Sequence, residues 1–292
     1  MSQKRRILIQ LDSDVHPSVF DRVVATDAGA DVVFSYGGVE LEQVRDLVYG
    51  AMFTRGPQDL RSTAVFIGGS DVARGEAMLE IARKAFLGPL RVSLMLDCGG
   101  ANTTAAAAVV LAARHIALDS SSALVLGATG PVGQRVVRLL ARRGARVCAT
   151  SRSIERARSV AEDVEQGVDG ARVEPIAVAS ADDLPGALEG IGVVVAAGGP
   201  GVCLLPAAAR TASADLKVAI DLNAVPPLGV EGIEASDAGA EHDGVIAYGA
   251  IGVGGFKMKI HKAAVRALFE SNDRILDAEA ILDIGLALDA AR

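Results

Sequence analysis

The chain has 292 residues, half of them hydrophobic, with 32 glycines, seven phenylalanines, three tyrosines and no tryptophan. That length predicts two domains of ordinary size, and small, valine-rich segments suit helices packed on a buried parallel sheet. A formal net charge of −7 argues against nucleic acid, and no stretch of about 18 apolar residues runs free of charges or glycine clusters, so no membrane span is expected.

The start, Met1-Ser-Gln-Lys-Arg-Arg, runs at once into a strand-like segment, with no signal-length apolar stretch. Strand and helix signals then alternate: strand 6–11, helix 18–27, strand 31–35, helix 40–49, strand 63–67 closed by Gly68-Gly69, helix 71–85 and strand 91–96. Such alternation implies parallel pairing through crossovers. An alanine-rich helix at 102–118, with Asn102 or Thr103 as its N-cap, is expected to connect the domains. The alternation restarts with strand 122–126, helix 131–143, strand 146–150, helix 154–166, strand 173–178 and a short helix near 182–188. Strand 192–196, helix 204–212 and strand 217–221 follow, then a loop with Pro226-Pro227, strand 245–248, a glycine-rich turn, and helices at 256–270 and 277–290.

The expected fold is α/β: an N-terminal α/β domain plus a Rossmann-type doubly wound parallel-sheet domain. By analogy with two-domain dehydrogenases, the C-terminal helices pack back on the N-terminal domain. The boundaries follow as 1–104 completed by 258–292, with 105–257 as the Rossmann domain. Cys98, Cys148 and Cys203 lie far apart without CxxC or Cys/His spacing, so reduced thiols of a cytoplasmic protein are expected and no metal site.

The segment Gly127-Ala-Thr129-Gly130-Pro131-Val132-Gly133 stands between a strand and a helix. Gly127 can turn sharply out of the strand, Gly130 lets backbone N–H groups approach a pyrophosphate, and Gly133 lets the helix pack on the sheet. The helix N-terminus then turns its positive dipole end to the phosphates. A purely structural turn is the alternative, but strand and helix both fall where a nucleotide site needs them. The next strand ends in Ser151-Arg152-Ser153, without the Asp or Glu that usually binds the ribose 2′-hydroxyl of NAD. A guanidinium flanked by hydroxyls suits the 2′-phosphate of NADP, with an exposed surface arginine as the bland alternative. NADP is the expected cofactor and NAD a weaker alternative. Ala197 and Gly198, and Asn223, follow later strands and are expected to line the same crevice.

Further segments carry a resemblance. They include Leu11-Asp12-Ser13-Asp14, Thr54-Arg55-Gly56, Ser62-Thr63-Ala-Val-Phe66-Ile-Gly68-Gly and Met95-Leu-Asp97-Cys-Gly-Gly-Ala-Asn102-Thr103-Thr104. Asn223-Ala-Val-Pro226-Pro227-Leu-Gly229 and Gly249-Ala-Ile-Gly252-Val-Gly254-Gly255-Phe-Lys257-Met-Lys259-Ile-His261 continue it. Together the chain resembles, over essentially its whole length, the bacterial methylene-tetrahydromethanopterin dehydrogenases of methylotrophs. The resemblance implies NAD(P)-linked oxidation of a methylene bridge on a tetrahydropterin to a methenyl group. It also implies a cleft between a pterin-binding domain and a Rossmann domain, with Lys257 as the active-site lysine. Members differ in nucleotide, and in taking tetrahydromethanopterin, tetrahydrofolate or both.

Hydride loss from a carbon between two nitrogens leaves a cation that those nitrogens stabilise, so positioning matters more than a general base. A carboxylate near the pterin would help. Asp14 and Asp97, each after a strand, are the candidates, with capping as the alternative role for both. Asn102 and Thr103 can bind substrate from a helix start, though as caps they need no ligand. Lys257 is preferred to Lys259, two residues on, which points elsewhere on a helix. His115 reads as structural, and His261, one turn beyond Lys257, as a weaker candidate. Two other readings stay open: a methylene-tetrahydrofolate dehydrogenase and a non-catalytic NADP-binding regulator. A homo-oligomer is expected by analogy.

Overall fold

The computed structural model describes residues 4–292; the first three residues of the basic N-terminal run lie outside them. The chain divides into two compact units, one comprising Met1–Thr103 and Met258–Arg292, the other Thr104–Lys257.

The first unit contains β1 (Ile7–Asp12), α1 (Val19–Asp27), β2 (Val32–Tyr36), α2 (Leu41–Met52), β3 (Thr63–Gly68), α3 (Val72–Lys84) and β4 (Ser93–Leu96). Helix α4 (Ala101–Ala113) begins in this unit and runs into the next. Every residue of β3 and β4 is buried, which is why both read as unbroken apolar runs rather than alternations. On α2, Val44, Val48, Ala51 and Met52 recur at helical spacing and pack with Met78 and Ala82 of α3 over Leu11, Val65, Ile67 and Leu94. Each fully buried large side chain there contributes about 1.5–3 kcal/mol.

The second unit contains β5 (Ser122–Leu126), α5 (Pro131–Arg142), β6 (Arg146–Ser151), α6 (Ile154–Gly167), β7 (Arg172–Ala177), α7 (Leu184–Ala187) and β8 (Val193–Ala196). It continues with α8 (Ala207–Ala212), β9 (Val218–Asp221), β10 (Ala238–His242) and β11 (Val245–Tyr248). Helix α9 (Ala250–Ala267) leads back to the first unit, where β12 (Ile275–Leu276) and α10 (Ala278–Ala290) finish the chain.

The first sheet has the order β12-β4-β3-β1-β2, all parallel. Strand β12 pairs Ile275 with Leu94 and Leu276 with Met95, so the C-terminal tail completes the sheet. Ser93 fastens it, donating from Oγ to the Ser271 carbonyl at 3.0 Å and accepting the Arg274 N–H at 3.2 Å.

The second sheet has the order β10-β11-β9-β8-β5-β6-β7, parallel except for the antiparallel edge strand β10. The chain winds outward from β5 to β7, then from β8 to β11 on the other side. The strand order therefore reverses between β5 and β8, where doubly wound sheets open a crevice for ligands.

Three expectations need correction. The alanine-rich helix stops at Ala113, not 118, because the N–H groups of Arg114 and His115 turn back to the carbonyls of Leu111 and Ala112. Tertiary contacts hold that end: the Arg114 guanidinium lies 4.8 Å from the Phe256 ring centre, and His115 Nε2 is 2.8 Å from the Tyr248 hydroxyl. The glycine-rich segment before Phe256 is helical, so α9 starts at Ala250. Of its glycines, Gly252 serves close packing, since a Cβ there would collide with the Asp237 carbonyl oxygen, whereas a Cβ on Gly254 or Gly255 would meet nothing within 4 Å. Strand β10 was not foreseen, because the exposed edge sequence Ala-Gly-Ala-Glu-His has no apolar alternation. Among the described residues, no helix is long and apolar enough to cross a membrane.

Candidate active site

At the β5–β8 reversal the two strand ends approach closely. Gly127 leaves β5 with φ +78°, and a Cβ on it would lie 2.8 Å from Gly198 Cα. Ala197 donates its N–H to the Leu126 carbonyl at 2.8 Å, and Ala128 donates to the Thr150 carbonyl at 3.1 Å. Gly133 is equally constrained: its Cβ would strike the Gly127 carbonyl oxygen and come within 2.9 Å of Ala128 Cα. Gly130 differs, because a Cβ there would meet nothing nearer than 3.7 Å. It is the N-cap of α5, with Pro131 next, and as a glycine it offers the first turn no side-chain cap. Thr129 and Val132 are half-buried beside it, and the Thr129 carbonyl accepts from Gln134 Nε2 at 3.0 Å. The result is a backbone cradle at a helix N-terminus whose cap residue is a glycine, and the phosphates of a dinucleotide fit it.

Strand β6 ends at Ser151, half-buried, followed by exposed Arg152. Ser153 is the N-cap of α6 and accepts the Arg156 N–H at 3.3 Å. No carboxylate stands at the strand end itself.

Asn223 is engaged with its own loop. Its amide nitrogen donates to the carbonyls of Val225 and Pro227, at 3.0 and 3.2 Å, and its Oδ1 accepts the Val225 N–H at 2.9 Å. The side chain therefore shapes the loop around the cis Pro226-Pro227 bond. Beside it, fully buried Asp221 accepts the N–H groups of Asn223 at 2.9 Å and Val230 at 3.0 Å. Burial pushes the Asp221 carboxyl above its ordinary range, against the pull of those amides.

In the first unit, Asp14 is half-buried, and its carboxylate accepts the Ser70 hydroxyl at 2.9 Å. Asp12, just before it, is buried and holds the turn by accepting the N–H groups of Asp14 at 2.9 Å and Ser18 at 3.1 Å. Asp97, Asn102 and Thr103 meet in a helix cap, the role expected as the alternative for them. These residues are 0%, 2% and 0% exposed and bond to one another. Asp97 Oδ1 accepts the N–H groups of Asn102 and Thr103 at 3.0 and 3.1 Å, and its Oδ2 accepts the Thr103 hydroxyl at 2.7 Å. Asn102 donates its side-chain amide to the Leu96 carbonyl at 2.6 Å. The helix cap is thus Asp97, and the other two are what it caps.

His261 completes a group that the sequence did not reveal. Fully buried, it lies 3.9 Å from Asp97 Oδ2 and 4.0 Å from Asp21 Oδ1 and stacks on Phe66 at 5.9 Å between ring centres. Its spacing four residues after Lys257 was legible; its carboxylate neighbours come from distant strands and helices. Lys257 is half-buried in the third turn of α9, not at a turn-to-helix junction, while Lys259 is exposed.

Two solved dehydrogenases share the fold: quinate dehydrogenase from Corynebacterium glutamicum in complex with NAD, and shikimate 5-dehydrogenase from Listeria monocytogenes with shikimate and NAD. Quinate dehydrogenase matches with a TM-score of 0.56 and 15% identity, over 96% of this chain and 98% of its own. Shikimate 5-dehydrogenase matches with a TM-score of 0.53 and 13% identity, over 96% of each chain. The family model for the N-terminal part of methylene-tetrahydromethanopterin dehydrogenase matches residues 19–99. The bifunctional protein MdtA of Methylorubrum extorquens is 43% identical over 281 residues, covering 95% of this chain and 96% of the relative. The NAD(P)-dependent methylenetetrahydromethanopterin dehydrogenase of the same organism is 33% identical over 287 residues, 92% of this chain and 93% of the relative. With identity of that order along nearly the whole chain, this protein belongs to the methylene-tetrahydromethanopterin dehydrogenase family.

Proposed function

We propose that the chain oxidises methylene-tetrahydromethanopterin to the methenyl form, with NADP as hydride acceptor and NAD as a weaker alternative. The observation that carries the nucleotide half is the glycine cradle: two positions where a Cβ cannot fit enclose one, Gly130, that is left open at a helix N-terminus. The pterin half rests on whole-length similarity to a relative named for that substrate.

When bound, the nicotinamide supplies the electrophilic carbon that accepts the hydride. The chain's own residues bind and orient. The backbone from Gly127 to Gly133 holds the phosphates, and Ser151 with Arg152 receives the 2′-phosphate. Ala197 and Gly198 keep the β8 end small enough for the riboses. Lys257 donates hydrogen bonds to pterin or cofactor oxygens, and Asp14, whose carboxylate is partly accessible, stabilises the cation left by hydride loss. Asp97 serves the pterin only indirectly, by fixing the start of α4. No general base is required, because no proton leaves in the step. We further propose a cytoplasmic protein, from the three cysteines, none of them in a disulfide, and, by analogy, a homo-oligomer.

The test is reduction of NADP or NAD by purified protein with the methylene form of tetrahydromethanopterin or of tetrahydrofolate, followed by the absorbance of reduced nicotinamide. Reduction of NADP with the methanopterin substrate is expected. Turnover with the folate substrate alone would transfer the assignment to that carrier. Tight NADP binding without turnover on either pterin would leave a nucleotide-binding regulator.

A further inference from the structure

At the strand end assigned above to the 2′-phosphate, the two hydroxyls are not equivalent. Ser151 Oγ accepts the Ser153 N–H at 3.3 Å, which leaves its own proton to donate. Ser153 Oγ accepts the Arg156 N–H at 3.3 Å and donates its single proton to Glu155 Oε2 at 2.6 Å. Glu155 is exposed, in the first turn of α6, where the positive end of the helix favours a carboxylate. The Ser153 hydroxyl, then its own backbone N–H and nearby Arg158, hold its carboxyl below the usual glutamate range. An anion is thus fixed one hydrogen bond from Ser153, which flanks Arg152.

We infer that Glu155 is a specificity-determining residue that restrains the preference for NADP over NAD. It engages the one proton Ser153 could offer a phosphate, and it sets a negative charge beside a site for a dianion. A ribose without the phosphate meets no such repulsion, so NAD is unaffected and remains usable. The inference rests on the 2′-phosphate reading of Ser151 and Arg152. It goes beyond that reading by giving a neighbouring residue the opposite effect.

The experiment is calorimetric titration of the full chain with NADP, NAD, adenosine 2′,5′-bisphosphate and adenosine 5′-monophosphate, at low and high salt. Glu155→Gln removes the charge alone, and Glu155→Ala also releases the Ser153 proton. Glu155→Gln should tighten NADP and the bisphosphate by about three- to fivefold, the range of an exposed charge pair, and change NAD and the monophosphate less than about twofold. Glu155→Ala should gain at least as much, and both gains should shrink at high salt. A role confined to helix stability would move all four ligands alike, and that result overturns the inference. So does a NADP-to-NAD affinity ratio that stays constant or falls in both variants. Arg152→Ala separates the layers. If it weakens NADP while the Glu155 variants change nothing, only the inference falls. If it leaves NADP binding intact, the 2′-phosphate reading falls as well.

Discussion

Single atoms decide most at the glycine turn. Gly133→Ala puts a methyl group against the Gly127 carbonyl oxygen, which is backbone and has little room to yield. We expect a loss of about 1–3 kcal/mol in stability and a large loss of NADP affinity, measured by thermal melting and nucleotide titration. Gly130→Ala meets open space in the protein and should fold normally, so any loss of nucleotide affinity there would come from crowding the ligand. Arg152→Ala should weaken NADP about tenfold or more and leave NAD within about twofold, as expected for a charge-assisted phosphate contact. Asp97→Asn leaves a buried cap with an amide where two N–H groups and a hydroxyl need acceptors, at a cost of about 1–3 kcal/mol. Its melting temperature should fall, while KM in the surviving folded enzyme should change little. A large KM change without a stability change would restore Asp97 as a substrate contact.

At the scale of elements, the sequence was most informative where one element answers to one period. Fully buried β3 and amphipathic α2 fell within a few residues of their structural bounds. The errors came where tertiary contacts overrule local signals. Nothing in residues 114–118 says that Arg114 will sit on Phe256, or that His115 will meet Tyr248, yet those contacts end α4. Glycines at 252, 254 and 255 read as a turn because glycine disfavours helix by about 1 kcal/mol each. The missing information was Asp237, whose carbonyl needs the space that Gly252 leaves. The same limit hid the amide bonds of Asn223 and the carboxylates around His261, all set by partners that only the fold brings together. His115 gives the elements a pH test. Although the residue is largely exposed, partial desolvation of its ring and, secondarily, Arg114 lower its pKa from the ordinary value of 6.5. The unfolded chain therefore takes up the proton first as pH falls, so stability present above about pH 6.5 is lost below it. His115→Gln should flatten the fall in melting temperature between about pH 7 and pH 5; an unchanged slope would show that His115 contributes nothing to it.

For the molecule as a whole, the doubly wound sheet was legible because strand and helix signals alternate through β9 and the glycine turn lies at the start of the second series. Order within the sheets was less so, since β12 is two residues long and β10 carries no alternation. The proposed chemistry has NADP bound by the second unit and a tetrahydropterin by the first. Hydride transfer between those ligands can be followed by isotope. We would supply methylene-tetrahydromethanopterin deuterated at the methylene carbon, run single turnovers with NADP, and examine the reduced nucleotide by mass spectrometry. The account predicts deuterium at the nicotinamide ring, one atom per turnover, with none released to solvent. Reduced nucleotide free of deuterium, or label appearing in water, would contradict direct transfer and with it the proposed reaction.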